Sequence, residues 1–458
     1  MSIYNIALTG VMANQVGMNV TAQNTANMNT DGYSRQVVDQ TAIVYGSGVG
    51  GYNVGGGVSV SSIRRVSDQA AIERLRLANQ DAEYATAFMQ GMTGIENIFD
   101  MEGLNINLGM NDFFASVDNA TLQPDSPVYR NQLINEANEL AKRFTETSSQ
   151  LDTQLSQLVN EQSTVANTVN AQLDNIAKIN EEIREAAGQG KDTAGLQDSL
   201  DVQLNELSKK LGVKTLYKDD GTVEVSTLSG QPLVSGKNYA SLAQDPTSTD
   251  AYNTDLVLTF QGTTVALKMP AGGELQAIDE LKNDQYMPIS EKMDEIAAGF
   301  ADAVNSALAG GTDLNGTTPG KPLFTYDPED PAGTITITDI TAEELALSGD
   351  GEIGNGDILN DISDISTGKI DIGGEEMNVY DAYSQLLGTI GIATNSANQS
   401  YETATISLNE AQAARDSVSA VSSNEEAANL MMYMNAYEAN MKVLSTANQM
   451  FDSIINSF

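Results

Sequence analysis

The sequence predicts a mainly α-helical chain with an inserted β domain: terminal helices forming a coiled coil, a long-helix bundle, and a β-rich outer region. Three observations predict it. All ten prolines lie between Pro124 and Pro331, which leaves the first 123 and the last 127 residues free to form long helices. From Leu133 the apolar positions run Ala137, Leu140, Phe144, Leu151, Leu155, Leu158, Val165, Val169, Leu173, Ile176, Ile179 and Ile183, the spacing of one amphipathic helix. The last 35 residues carry a heptad of Leu430, Met434, Tyr437, Met441, Leu444, Phe451, Ile455 and Phe458, with only Asn448 polar in the series. That pattern is a seam for another helix, either the chain's own beginning or copies of itself.

The elements follow in order. Residues 3–28 lack proline and place Ile3, Ile6, Gly10, Ala13, Gly17 and Val20 on one stripe, with Leu8, Val11, Met12, Val16 and Met18 off it. A helix apolar on several sides needs several neighbours. Residues 37–66 read as an extended arm or hairpin around a glycine cluster, Gly46 to Gly57. Residues 68–101 return to helix through Ile72, Leu75, Ala78, Ala85, Met89, Met92, Ile95 and Phe99. The rod of residues 133–183 is about 75 Å long at 1.5 Å per residue, and Gly188, Gly190 and Gly195 end it. A short helix covers residues 196–211. Residues 214–225 then alternate around Asp220-Gly221, and residues 256–269 around Gln261-Gly262, both hairpin signals. Helix resumes over 289–308. Residues 310–376 are rich in Gly, Asp, Thr and Pro and read as loops with short β elements, a strand at 335–337 among them. Residues 379–411 form another helix. Ser422, Ser423 and Asn424 with Glu425 and Glu426 give the N-cap and capping-box pattern of the last.

The expected domains are residues 1–36 with 424–458, a coiled coil disordered in the monomer; 37–210 with 272–310 and 378–423, a helical rod; 211–271, a β domain; and 311–377, loops and short strands packed on the others. The β structure is expected at the tip farthest from both termini.

Composition narrows the function. The chain has no histidine, cysteine or tryptophan, so no His-assisted nucleophile, thiolate or imidazole metal site is possible. No carboxylate pair stands out by its spacing, and neither an enzyme nor a cofactor is expected. A net charge of −39 argues against nucleic acid and anionic lipid as partners. Its distribution is uneven. Residues 1–40 carry only −1, whereas residues 321–376 hold fourteen acids against Lys321 and Lys369, a net of −12. No apolar run has the length of a membrane span, and the N-terminus lacks the pattern of a secretory signal.

Residues 24–36 read N-T-A-N-M-N-T-D-G-Y-S-R-Q. This resembles the signature after the first helix of bacterial flagellar axial proteins, and through Asn24, Asn27, Asn29, Thr30, Gly32, Tyr33, Ser34, Arg35 and Gln36 it looks most like the flagellar hook-associated protein 1 family. Asp112-Phe113-Phe114 with Pro124 and Arg130 is similar to that family's entry into its long helix. Leu196-x-Asp198-x-x-Asp201 resembles its motif before the β domain, with Leu200 where arginine is usual. Asp313-Leu314-Asn315-Gly316, Gly354-Asn355-Gly356-Asp357 and the segment from Asn424 to Leu430 also fit. The resemblance implies a structural adaptor joining hook to filament, exported through the flagellar type III channel without a cleaved signal peptide and assembled outside the cell. The implied partners are copies of itself in a ring, the hook protein, the second hook-filament junction protein and an export chaperone. Residue chemistry alone gives Gly32 a positive φ at the helix stop, and leaves Arg35 either solvated or paired across a subunit boundary. Two other readings stand beside this one: another axial subunit (hook, rod or flagellin) and an extracellular ligand-binding protein.

Overall fold

The computed structural model describes residues 3–44, 55–248, 255–268 and 272–456. Phe458, Met269 and Gly46 to Gly51 of the glycine cluster lie outside them.

The chain opens with α1 (Ile3–Ala26), then β1 (Gln36–Ala42) and β2 (Val58–Arg65), an antiparallel ribbon with a bulge at Asp39/Gln40. Four helices follow: α2 (Gln69–Asp100), α3 (Ile106–Leu122), α4 (Pro127–Gly188) and α5 (Ala194–Lys210). Proline at its first position and an apolar residue on nearly every turn carry α4 for 62 residues, about 93 Å. Its buried face includes Leu133, Leu140, Phe144, Val169, Leu173, Ile176 and Ile183.

Two antiparallel sheets pack on the second half of α4. One holds β3 (Val213–Tyr217), β4 (Val223–Thr227), β5 (Pro232–Ser235) and β6 (Asn238–Tyr239); the other holds β7 (Ser241–Gln244), β8 (Leu256–Phe260) and β9 (Thr263–Ala266). Asp220-Gly221 and Gln261-Gly262 turn their hairpins, with Gly221 at φ 84° and Gln261 and Gly262 at φ 49° and 84°. Two asparagines of α4 pin the sheets to it. Asn180 exchanges hydrogen bonds with the backbone of Val223, both 2.9 Å, and Asn170 does so with Leu242 at 2.8 and 2.7 Å. Each bonds a strand end that would otherwise be buried without a partner.

α6 (Glu274–Glu280) runs through a π-helical turn, Leu281–Tyr286, into α7 (Met287–Ala309). The chain then makes β10 (Phe324–Thr325), α8 (Pro331–Thr334), β11 (Thr336–Ile337), α9 (Asp357–Ile365), β12 (Ile370–Ile372) and β13 (Glu375–Met377) before α10 (Val379–Ser419) and α11 (Ser423–Ile455). α10 lies antiparallel along α2, with Tyr383 against Phe99 and the Thr394 hydroxyl donating to the Met92 carbonyl. The architecture is mainly α with inserted β sheets, as the proline map and periodicities predict.

Three features differ from the sequence reading. Residues 357–365 form a helix inside the segment read as loops. Ile358, Leu359, Ile362 and Ile365 bury one face of it, a helical spacing masked by the surrounding Gly and Asp. Residues 106–122 form a separate helix, α3, before the long one. The β structure does not sit at the tip farthest from the terminal helices. α4 is long enough to carry the chain back past the first turns of α2, and α5 returns beside them. Arg76 of α2 therefore reaches Thr215 of β3, Nη1 to Oγ1 2.8 Å. The opposite end of the bundle is occupied by the 311–377 segment, where Arg130 donates to the carbonyls of Ala342 and Leu345 at 2.9 and 2.7 Å.

Candidate assembly site: the terminal helix pair and its polar junction

α1 and α11 pack antiparallel in a heptad register. Gly10 faces Asn440, Gly17 faces Tyr433, and Asn24 faces Glu426, three pairs each seven residues apart. Glycine lets the two helices close up at the first two. A Cβ on Gly17 would lie 2.6 Å from the Tyr433 ring, and one on Gly10 2.7 Å from the Asn440 amide oxygen. Ala7, Ala13 and Val20 complete the buried face of α1. Across the helix the arm lies along it, so that Gly57 approaches Thr9 and the Val58 N–H donates to the Thr9 hydroxyl at 3.2 Å. Small residues on α1 thus serve two neighbours at once.

The predicted stripe divides between inside and outside. On α1, Gly10, Ala13, Gly17 and Val20 are buried, Ile6 is half-buried and Ile3 is exposed. On α11, Tyr437 and Leu444 are half-buried, whereas Leu430, Met434, Met441, Phe451 and Ile455 are exposed, Met434 by 47% and Ile455 by 69%. The residues actually against α1 are Glu426, Tyr433, Asn440 and Ala447, a face rotated by one position from the apolar heptad. Sequence reasoning missed this face because it is polar or small. The signal was the seven-residue spacing of Gly10 and Gly17, which accommodates larger side chains at the same interval on the partner.

Below the pair the chain turns through the signature segment. Asn24, 1% exposed, is its centre: Nδ2 donates to the Gln36 carbonyl at 2.9 Å and to Glu426 at 3.2 Å, while Oδ1 accepts from the Tyr33 hydroxyl at 2.8 Å and the Gln36 N–H at 2.9 Å. Every bonding position of this buried amide is used. Asn27 donates to the Gln23 carbonyl and accepts from Thr30 at the exposed end of α1, and Asn29 is exposed. Gly32 has φ 77°, and a Cβ there would collide with Val202 at 2.2 Å. The Arg35 guanidinium pairs with Glu425 of the same chain, and the Arg35 backbone N–H donates to the Ser419 carbonyl at 2.9 Å.

A buried ion cluster lies under this turn. Arg65, at the end of the arm, meets Asp198 at 2.8 Å and Asp201 at 2.6 Å; Arg76 of α2 meets Asp201 at 2.8 Å. The Tyr217 hydroxyl donates to Asp201 at 2.5 Å, and Arg65 also donates to the Ser34 hydroxyl at 3.3 Å. Arm, signature turn, α2, α5 and β3 are thereby joined at one point. Burial pushes the Tyr217 phenol up to about 12, with the Asp201 carboxylate adding to it. Tyr33 is likewise pushed up to about 12, first by burial and then by Asp198 and Glu426. Burial raises the Asp198 carboxyl, against the pull of Arg65. The same burial works against the Arg65 charge, but Asp201 and Asp198 outweigh it and hold the guanidinium above its ordinary value. The aspartate motif of α5 was visible in sequence; its arginine partners, more than a hundred residues away, were not.

Replacing Gly17 with leucine is expected to separate α1 from α11 while leaving the bundle intact, because overpacking a tight interface costs about 1–3 kcal/mol. Hydrogen exchange should accelerate in α1 and α11 only. Unchanged protection there would contradict the register.

Among the described residues no cluster of acids could hold a metal ion, and no helix is long and apolar enough to cross a membrane. The comparisons with known proteins agree with the geometry. The family model of the flagellar hook-associated protein FlgK helical domain matches residues 92–324, just over half of the chain. A second, described as flagellar basal body rod FlgEFG protein C-terminal, matches residues 413–457. Flagellar hook-associated protein 1 of Bacillus subtilis (strain 168) is 27% identical, with 98% of this chain and 97% of that protein aligned. Its namesake in Escherichia coli (strain K12) is 24% identical over 99% of both. The structure of the flagellar hook junction protein FlgK from Burkholderia pseudomallei matches 55% of this chain and 46% of its own with a TM-score of 0.51 and 22% identity, a likeness of fold. On the match that spans α3, α4, α5, both sheets and α7, the chain belongs to the flagellar hook-associated protein FlgK family.

Proposed function

We propose that this chain is a structural adaptor joining the flagellar hook to the filament, with no catalytic role, and that its exposed α11 stripe builds the joint. The observation that carries this reading is the divided helix pair. Leu430, Met434, Met441, Phe451 and Ile455 remain in water on a helix already paired through another face. Each large apolar side chain buried there would contribute roughly 1.5–3 kcal/mol, enough in sum to hold subunits together. The near-neutral first 40 residues leave self-contact at that end least opposed by charge. In this reading copies pack in a ring with α1 and α11 innermost, between the hook protein on one side and the second junction protein on the other. The α1–α11 pair of residues 1–36 and 424–458, already formed within one chain, is fixed against its neighbours on assembly, the helical rod forms the next layer, and the sheets make outer contacts. Export through the flagellar type III channel, with a chaperone and without a cleaved signal, belongs to the same reading and is supported by the family.

The test is electron microscopy of cells lacking the gene, with the medium assayed for flagellin. Intact hooks without filaments and flagellin in the medium are expected. Missing hooks would assign the chain to the rod or hook, and normal filaments would reject an axial role.

A further inference from the structure

Two flanks of the helical bundle expose surface that carries almost no charge. Along α4, Thr153, Gln157, Asn160, Thr164, Asn167 and Ala171 recur at helical spacing and are all exposed. Residues 153–173 hold a single charged side chain, Glu161. Along α10, Gln385, Ile392, Ser396, Gln399, Thr403 and Ile406 form a second exposed stripe, and residues 382–409 hold only Glu402. Each acid lies roughly a quarter-turn off its stripe, at the edge of the face. Ile392 is 75% exposed and Ile406 60%. In a chain of net charge −39, these are flanks on which another copy meets little repulsion.

The two faces stand at one level on opposite sides of the core. Each stripe backs onto its helix's buried face, Leu158, Val165 and Leu173 on α4 and Ile390, Thr394 and Ala397 on α10. α2 and α7 pack against both helices. Thr394 of α10 donates to the Met92 carbonyl of α2, and Gln154 of α4 donates to the Gly94 carbonyl, both at 3.5 Å. Nearer the start of α2, Ala87 and Glu161 line one small cavity, and Ala85 and Ser400 line another. α4 and α10 therefore run in the same direction, and Ile406 falls level with Asn167 and Thr168.

We propose that the Ile392–Ile406 face of α10 in one copy packs side by side, at the same level, against the Thr153–Ala171 face of α4 in the next. The faces are unlike, so the contact is heterologous, and with no axial offset it closes into a single ring. Ile392 and Ile406 leave water, and the facing amides and hydroxyls bond to one another without a charge to desolvate. The inference rests on the reading above in taking copies to form a ring, and it is distinct from the α11 stripe.

The chain has no cysteine, so the contact can be trapped in place. Flagella with hooks attached are isolated from cells whose only copy carries Thr168→Cys and Ile406→Cys, then treated with a short bis-maleimide. A ladder of dimers, trimers and higher multiples is expected, because each copy offers one face to either neighbour. Ser149→Cys in place of Thr168→Cys keeps the same stripe but lies about 28 Å farther along α4, and the ladder should vanish. A chain present in the flagella yet linked no more than this control, or linked to a different protein, would overturn the contact and leave the junction role standing. Flagella that lack the chain would overturn both. Ile392→Glu/Ile406→Glu, at two exposed positions, should leave thermal unfolding of the purified chain unchanged and cost the cell most of its filaments. Filaments of normal number on hooks that carry this variant would overturn the contact as well.

Discussion

Asp201→Ala should destabilise the protein by about 3–5 kcal/mol, since removing one partner of a buried ion cluster leaves the others uncompensated. Asp201 takes Arg65 on one carboxylate oxygen and Arg76 and Tyr217 on the other, all of them largely buried. Without it, Arg65 keeps Asp198 and the Ser34 hydroxyl, and Arg76 keeps Thr215 and Tyr217. The loss should centre on the junction. Arm, signature turn and β3 should gain proteolytic sensitivity together, because one carboxylate ties them to α5. Denaturant unfolding with limited proteolysis checks this. A loss below 1 kcal/mol, or cleavage confined to the arm, would show that Asp198 alone suffices.

The second large effect belongs to the far end of the bundle. Phe113 is fully buried, with ring centroids of Phe114, Phe300 and Phe324 at 5.3, 5.4 and 6.3 Å. Those rings come from α3, α7 and β10, so this cluster fastens the 311–377 segment to the helices. Phe113→Ala removes the central ring and leaves a cavity among rigid neighbours, a change that costs about 3–5 kcal/mol. The expected result is a lower denaturation midpoint, with exchange accelerating in α3, α9 and β10 before the terminal helices. Phe113→Leu should recover most of the loss.

These two sites also mark what a sequence can and cannot disclose. The rod was legible because thirteen apolar positions, Leu133 to Ile183, repeat at helical spacing without a proline. The hairpins were legible because Asp220-Gly221 and Gln261-Gly262 are local turn chemistry. Helix α9 was hidden because its four apolar residues sit in a stretch whose glycines and aspartates suggest loop. The contact face of α11 was hidden more deeply: the apolar heptad lies on its flank, and the residues against α1 are polar or small. The position of the sheets and the Arg65–Asp201–Arg76 cluster depend on how far α4 carries the chain before α5 turns back, and no local pattern encodes that distance.

In the proposed ring, side chains left exposed on α11 join this subunit to others. Met434 and Met441 test it cleanly, since both are exposed and substitution there leaves the α1 contact untouched. Cells in which Met434→Asp/Met441→Asp replaces the native chain should export the protein yet carry bare hooks, with variant and flagellin both in the medium. Filaments of normal number and length on hooks containing the variant would contradict the account.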